Sequence, residues 1–190
     1  MDKQTTFLDH LDELRKRLFI VLAGLAASFI VSLFLSAGVL DFLLSPIRSE
    51  MERVYFMAPD EAFMVTLQSA LFLALILSFP VTFSQVWSFL EPGLLTKEKK
   101  IFFPVFFISL ILFLTGIAFA FFLILPVSLK FLLGFASETL KPFISVGKYI
   151  SFVVGMCLGF GLAFISPVIL LALIRLGVIS RDTLKKQRPF

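Results

Sequence analysis

The chain has 190 residues, of which 59% are hydrophobic and 16% charged, with a formal net charge of +4. At a mean hydropathy of +1.02 it carries far more apolar surface than a soluble fold of this length can bury, so water-soluble globular classes are excluded and lipid is its solvent. Cys157 is the single cysteine and lies in an apolar run, which excludes a disulfide framework and a thiol metal cluster.

In chain order, the first feature is TTFLDHLDELRKRL, in which Phe7, Leu11, Leu14 and Leu18 recur at three- and four-residue spacing while Asp9, Asp12, Glu13, Lys16 and Arg17 fall between. That pattern predicts an interfacial amphipathic helix over about 5–17, with Thr6 and Asp9 fitting a capping box. Four uncharged runs follow: Leu18 to Leu40, Ala62 to Leu90, Ile101 to Leu129 and Tyr149 to Ile174. Each exceeds the roughly 18–20 residues that a helix needs to cross about 30 Å of hydrocarbon. The expected spans are about 18–40, 64–89, 102–126 and 149–174. A cleaved signal peptide is not expected, because the first run is too long and four acids precede it.

The connections alternate in charge. Lys3, Arg15, Lys16, Arg17, Lys97, Lys99, Lys100, Arg175, Arg181, Lys185, Lys186 and Arg188 fall on one side, against Arg48, Arg53, Lys130, Lys141 and Lys148 on the other. The positive-inside rule then predicts a cytoplasmic N-terminus, cytoplasmic segments at 90–101 and 175–190, and external loops at 41–63 and 127–148. A basic surplus of this kind is what topology requires and does not indicate nucleic-acid binding. Both external loops are expected to be ordered, with a short surface helix in SEMERVYF, because Pro142 and Gly147 punctuate the second and its Phe143, Ile144 and Val146 are apolar.

Prolines recur within the runs. Pro80 and Pro167 are expected to kink their helices, whereas Pro104 and Pro126 are expected near helix ends where the missing N–H costs little. Gly155, Gly159, Gly161 and Ala163 give the fourth span a small-residue face suited to close packing. The expected fold is an all-α polytopic membrane protein in which four bent transmembrane helices form a curved wall.

Chemistry is sparse along the spans. His10 is the only histidine, no Asp or Glu interrupts an apolar run, and neither a phosphate-binding glycine loop nor an HExxH pattern occurs. Enzymatic catalysis, a metal site, a cofactor and a proton-relay carrier therefore lack their parts. Charge concentrates instead in SFLEPGLLTKEKK, where Glu91 and Glu98 stand among lysines. From the residues alone, that stretch reads as a solvated charged turn whose ion pairs contribute about 0–1 kcal/mol.

HLDELRKRL at His10–Leu18 and FPVTFSQVWSFLEPGL at Phe79–Leu94, followed by TKEKK, resemble TatC, the receptor and core subunit of the twin-arginine translocase. AFAFFLILPVSLKFL, YISFVVGMCLGFGLAFISPV and GVISRDTLKKQRPF extend the likeness through nearly the whole chain. The resemblance implies a six-span family that exports folded proteins across the inner (cytoplasmic) membrane using the proton-motive force. It also implies partnership with TatA- and TatB-type subunits in an oligomeric complex, with no nucleic acid involved. Its signal-peptide site maps onto Glu13 and Glu98, with Arg15 and Arg17 supporting, Phe89, Pro92 and Gly93 shaping the turn, and Lys97 and Lys99 orienting the loop. Glu91, at a place the family usually fills with an uncharged residue, and His10 stand beside the set as accessory candidates. Paired guanidinium groups are well matched by carboxylates at a partly desolvated surface.

Two departures accompany the resemblance. Ile165, in FISP, takes the place of a glutamate in the family phrase FExP. The sequence given ends at KKQRPF, where a fifth span would begin, so a fragment, a frameshifted gene and a natural short form all fit. The competing functions are a small-solute channel or carrier, which would show solute flux in proteoliposomes, and an inserted but translocation-inactive form, which would fail to restore export.

Overall fold

A computed structural model describes residues 3–49, 54–90, 102–135 and 143–175, and its described regular structure is helical. The helices are α1 (Lys3–Arg48), α2 (Glu61–Leu90), α3 (Phe102–Phe119), a π-helical turn (Ala120–Ile124), α4 (Leu125–Leu133) and α5 (Val146–Arg175). Because α3, the π turn and α4 run on as one rod, these elements make four helical rods long and apolar enough to cross a membrane. Backbone groups in such rods satisfy one another, which hydrocarbon requires.

Several local expectations change. The amphipathic segment 5–17 is the first part of the unbroken helix α1, and α1 continues through 41–48, past Pro46. Of SEMERVYF, residues 50–53, where the short helix is expected, lie outside the described residues, while Val54–Phe56 is non-helical and Tyr55 makes a parallel bridge to Ser145. Pro126 stands inside the third rod. The wide turn before it explains how: the Leu125 N–H donates to Ala120 O, a π-type bond, and the next residue has no N–H to offer. The interruption a proline imposes is thus gathered into one bulge and the rod continues. Pro80 and Pro167 likewise lie within α2 and α5.

Packing follows two seams, α1 on α2 and α3 on α5. Small residues are buried on both partners of the first, Ser32 and Ser36 on α1 and Ser69, Ala70, Ala74 and Ser78 on α2, and Gly24 of α1 meets Val81 of α2. Lipid tails are as apolar as the helix surfaces, so association depends on close van der Waals contact, which short side chains permit. The second seam closes at Gly116, where a Cβ would come within 2.7 Å of Phe160 O, and at Gly161, where one would meet the Phe113 ring at 2.8 Å. The small-residue face expected on α5 is otherwise absent from the packing. Gly155 and Gly159 have open space where a Cβ would stand, and Ala163 is exposed.

The buried cluster gathers toward the α1 C-terminal half, with Leu43, Ile47, Val65, Leu125, Ile150 and Val153 at its centre. Tyr149 ties α5 to α1 by donating its hydroxyl proton to Leu43 O at 2.9 Å.

Candidate functional site

Helix α1 carries a sheltered stripe through Glu13, Arg17, Val21, Gly24, Ser28, Ser32, Ser36, Leu43 and Ile47, which winds gradually round the helix, with Glu13 and Gly24, about three turns apart, on the same face. Its lower part packs on α2. A Cβ on Gly24 would meet Val81 Cγ1 at 3.1 Å, which sets the register of the two antiparallel helices. From that contact Glu13 lies about three turns back along α1, and Phe89 about two turns on along α2, toward the same end of the bundle.

At that end the Glu13 carboxylate pairs with Arg17 one turn later. Arg17 Nε donates to Glu13 Oε1 at 3.0 Å, and Arg17 Nη2 donates to the same oxygen. The pair is partly withdrawn from solvent, with side-chain exposures of 20% for Arg17 and 33% for Glu13, whereas Asp12, Arg15 and Lys16 are exposed. Burial of this degree raises the strength of a charge-assisted hydrogen bond above that of a fully solvated pair. Arg15 points elsewhere: its guanidinium carbon lies 5.7 Å from the centroid of the Phe19 ring, a cation–π distance.

The α2 side of this end is braced by aromatic rings. Phe79 stacks on Phe113 at 4.1 Å between centroids, Phe83 meets Phe106 at 5.8 Å and Trp87 at 6.3 Å, and Trp87 is buried. Phe89 follows within the last turn of α2. The helix that leads into the predicted loop is therefore held on α3 by ring contacts as far as Phe83, about two turns before its end. Glu91, Pro92, Gly93, Lys97, Glu98 and Lys99 lie outside the described residues, as does the side chain of His10, although its backbone is part of α1.

The opposite end holds a second carboxylate that the sequence did not single out. Glu61, the first residue of α2, accepts through Oε1 from the Ser145 hydroxyl and from the Gly147 N–H at 2.6 Å. Through Oε2 it accepts from the backbone N–H groups of Met57 and Ala58. Backbone bonds continue the clasp, since Tyr55 N–H donates to Ile144 O at 3.3 Å and Val146 N–H donates to Tyr55 O at 3.1 Å. The Tyr55 and Phe143 rings stack at 4.7 Å beside it. One side chain thus joins residues 57–58 to residues 145–147. The available sequence signal was an acid at the N-terminus of an apolar run, but its partners at 145 and 147 are distant in sequence.

Ile165 is 2% exposed and continues the buried stripe of α5 one turn beyond Gly161. An apolar side chain therefore fills a packed position there. A cavity of about 490 Å³ opens beside the π turn between Leu35, Phe42, Phe72, Leu114, Phe121 and Cys157. Its lining is apolar, and Phe42 stacks on Phe121 at 4.5 Å across one wall. It offers no set of polar groups to orient a hydrophilic solute. Among the described residues no cluster of His, Cys, Asp and Glu is positioned to hold a metal ion.

Residues 9–190 match the family described as Sec-independent protein translocase protein (TatC). The TatC protein of Carboxydothermus hydrogenoformans is 36% identical over 189 residues, covering 100% of this chain and 78% of the relative. The chloroplastic TATC protein of Pisum sativum is 33% identical over 95% of this chain and 51% of its own length. A crystal structure of the twin arginine translocase receptor TatC superposes with a TM-score of 0.85 at 35% identity, over 93% of this chain and 79% of that chain.

Proposed function

The chain belongs to the TatC family, a multi-pass membrane subunit of the Sec-independent protein translocase, and on that footing we propose that it is a receptor for twin-arginine signal peptides. In this reading the docking surface is built from Glu13 on α1 and Glu98 in the segment after α2, with the N-terminus and that segment on the cytoplasmic face of the cell membrane. Arg15 and Arg17 flank Glu13 on the α1 side, while Phe89, Pro92, Gly93, Lys97 and Lys99 shape and orient the α2 side. The cargo is a folded protein moved by the proton-motive force, TatA- and TatB-type subunits complete the assembly, and the chain itself performs no enzymatic step.

The observation that carries the proposal is the direction of Glu13. A purely interfacial anchor would turn its acids to water, as Asp12 is turned. Glu13 instead lies on the stripe that faces α2, half-sheltered, at the end of the bundle toward which α2 runs before Glu98. A carboxylate held this way is suited to a guanidinium, whose fork of fixed donors can engage it in a partly dry setting.

Site-specific crosslinking from positions flanking Glu98 to a precursor bearing two adjacent arginines tests the proposal. Contact that disappears in Glu13→Ala and in Glu98→Ala is expected. Contact indifferent to both substitutions would remove the docking assignment. The solute-carrier reading gains nothing from the apolar cavity, and flux assays in proteoliposomes are expected to show no transport.

A further inference from the structure

We propose that Arg17 is the resident occupant of the Glu13 docking position, so that a signal peptide binds by exchanging its own guanidinium for one the receptor already holds. This inference rests on the docking function proposed above and adds to it a competitor within the chain.

The geometry supports the exchange in three ways. The Arg17 Nε and Nη2 groups both converge on Glu13 Oε1, so the carboxylate is engaged by the same fork chemistry that an arginine ligand would present. The two residues are one helical turn apart on α1, so the guanidinium can withdraw by side-chain rotation while the backbone stays in place. Of the cations following Glu13, Arg17 is the one turned into the sheltered stripe, whereas Lys16 is exposed and Arg15 lies over Phe19.

A ligand that needs Glu13 meets the competent state only in molecules where Arg17 has let go, and its apparent affinity falls by that fraction. Helix pairs at this spacing are worth little when exposed and more when half-sheltered, which corresponds to a weakening of about two- to five-fold. In return, the carboxylate is never left unpaired at a partly dry surface between binding events.

The test is a double-mutant cycle on the full chain in lipid nanodiscs, with a fluorescent synthetic signal peptide carrying two adjacent arginines. Arg17→Gln is expected to tighten binding about two- to five-fold in the parent and to give no gain in a Glu13→Gln background. Lys16→Gln removes the same charge without touching the pair, and any gain it gives is expected to be smaller and to persist in the Glu13→Gln background. Arg17→Lys, which replaces the fork with a point charge, is expected to fall between Arg and Gln. It serves as the readout if Arg17→Gln fails to fold. Unchanged or weaker binding in the Arg17 variants, while Glu13→Gln weakens binding, would overturn the resident-occupant role and leave the docking function standing. If Glu13→Gln itself leaves affinity unchanged, the docking function fails and this inference falls with it.

Discussion

The two carboxylate centres at opposite ends of the bundle use the same functional group for different ends. Glu61 accepts from three backbone N–H groups and a hydroxyl, all placed by segments whose own backbones are bridged. Glu13 is held by the guanidinium of Arg17, a long side chain with rotamers to spare. Backbone donors cannot leave without unfolding the segment that carries them, whereas a guanidinium can turn away in place. A carboxylate surrounded by fixed donors is a structural clasp, and one paired with an exchangeable donor suits a ligand.

The contrast can be broken most directly at Glu61. Glu61→Ala leaves the amides of Met57, Ala58 and Gly147 and the Ser145 hydroxyl without their acceptor. The buried Ser145 hydroxyl would retain its full desolvation cost without a partner, and the part-buried amides a share of theirs. Thermal unfolding in detergent is expected to fall by roughly 5–10 °C for a chain of this size. Signal-peptide affinity measured below the transition should hardly move, and a loss of affinity matching the loss of stability would erase the distinction between the two ends.

Glu13→Gln and Glu98→Gln should invert that pattern. Each removes a charge-assisted acceptor for an incoming guanidinium, expected to cost about 10- to 100-fold in peptide affinity, by fluorescence anisotropy. The unfolding midpoint of Glu13→Gln is expected to stay within about 2 °C of the parent, because its half-exposed ion pair with Arg17 contributes little to stability.

Ser145→Ala sharpens the clasp side at smaller scale. It removes one of the donors to Glu61 and is expected to lower stability by about 0.5–1.5 kcal/mol, by chemical unfolding, less than Glu61→Ala does. The smallest effect is expected at Glu91, where Glu91→Gln should weaken peptide binding by less than Glu98→Gln. An equal loss from both would mean that the two acids after α2 share the docking role.

The residues legible in advance were those whose meaning is local. The four apolar runs announce membrane helices through length alone, and HLDELRKRL with FPVTFSQVWSFLEPGL carries the family. Orientation-dependent facts were harder to see. Gly155 and Gly159 looked like a packing face yet have open space beside them, while Gly116, a lone glycine in a phenylalanine-rich helix, makes the close crossing. Pro126 looked like a helix end and instead follows a π turn inside a continuous rod.

Composition, run length and motif were enough for the solvent, the four spans, the family and Glu13 and Glu98 as candidates. Tertiary structure decided which faces touch protein, that Glu13 shares the α2-facing stripe with Arg17, and that Glu61 fastens residues 57–58 to residues 145–147. The reason lies in the solvent. In water a helix advertises its buried side by contrast with a polar one, but a membrane helix is apolar all round. The choice of partner is then left to the fit of small residues, such as Gly24 against Val81, and to polar contacts between residues far apart in the chain.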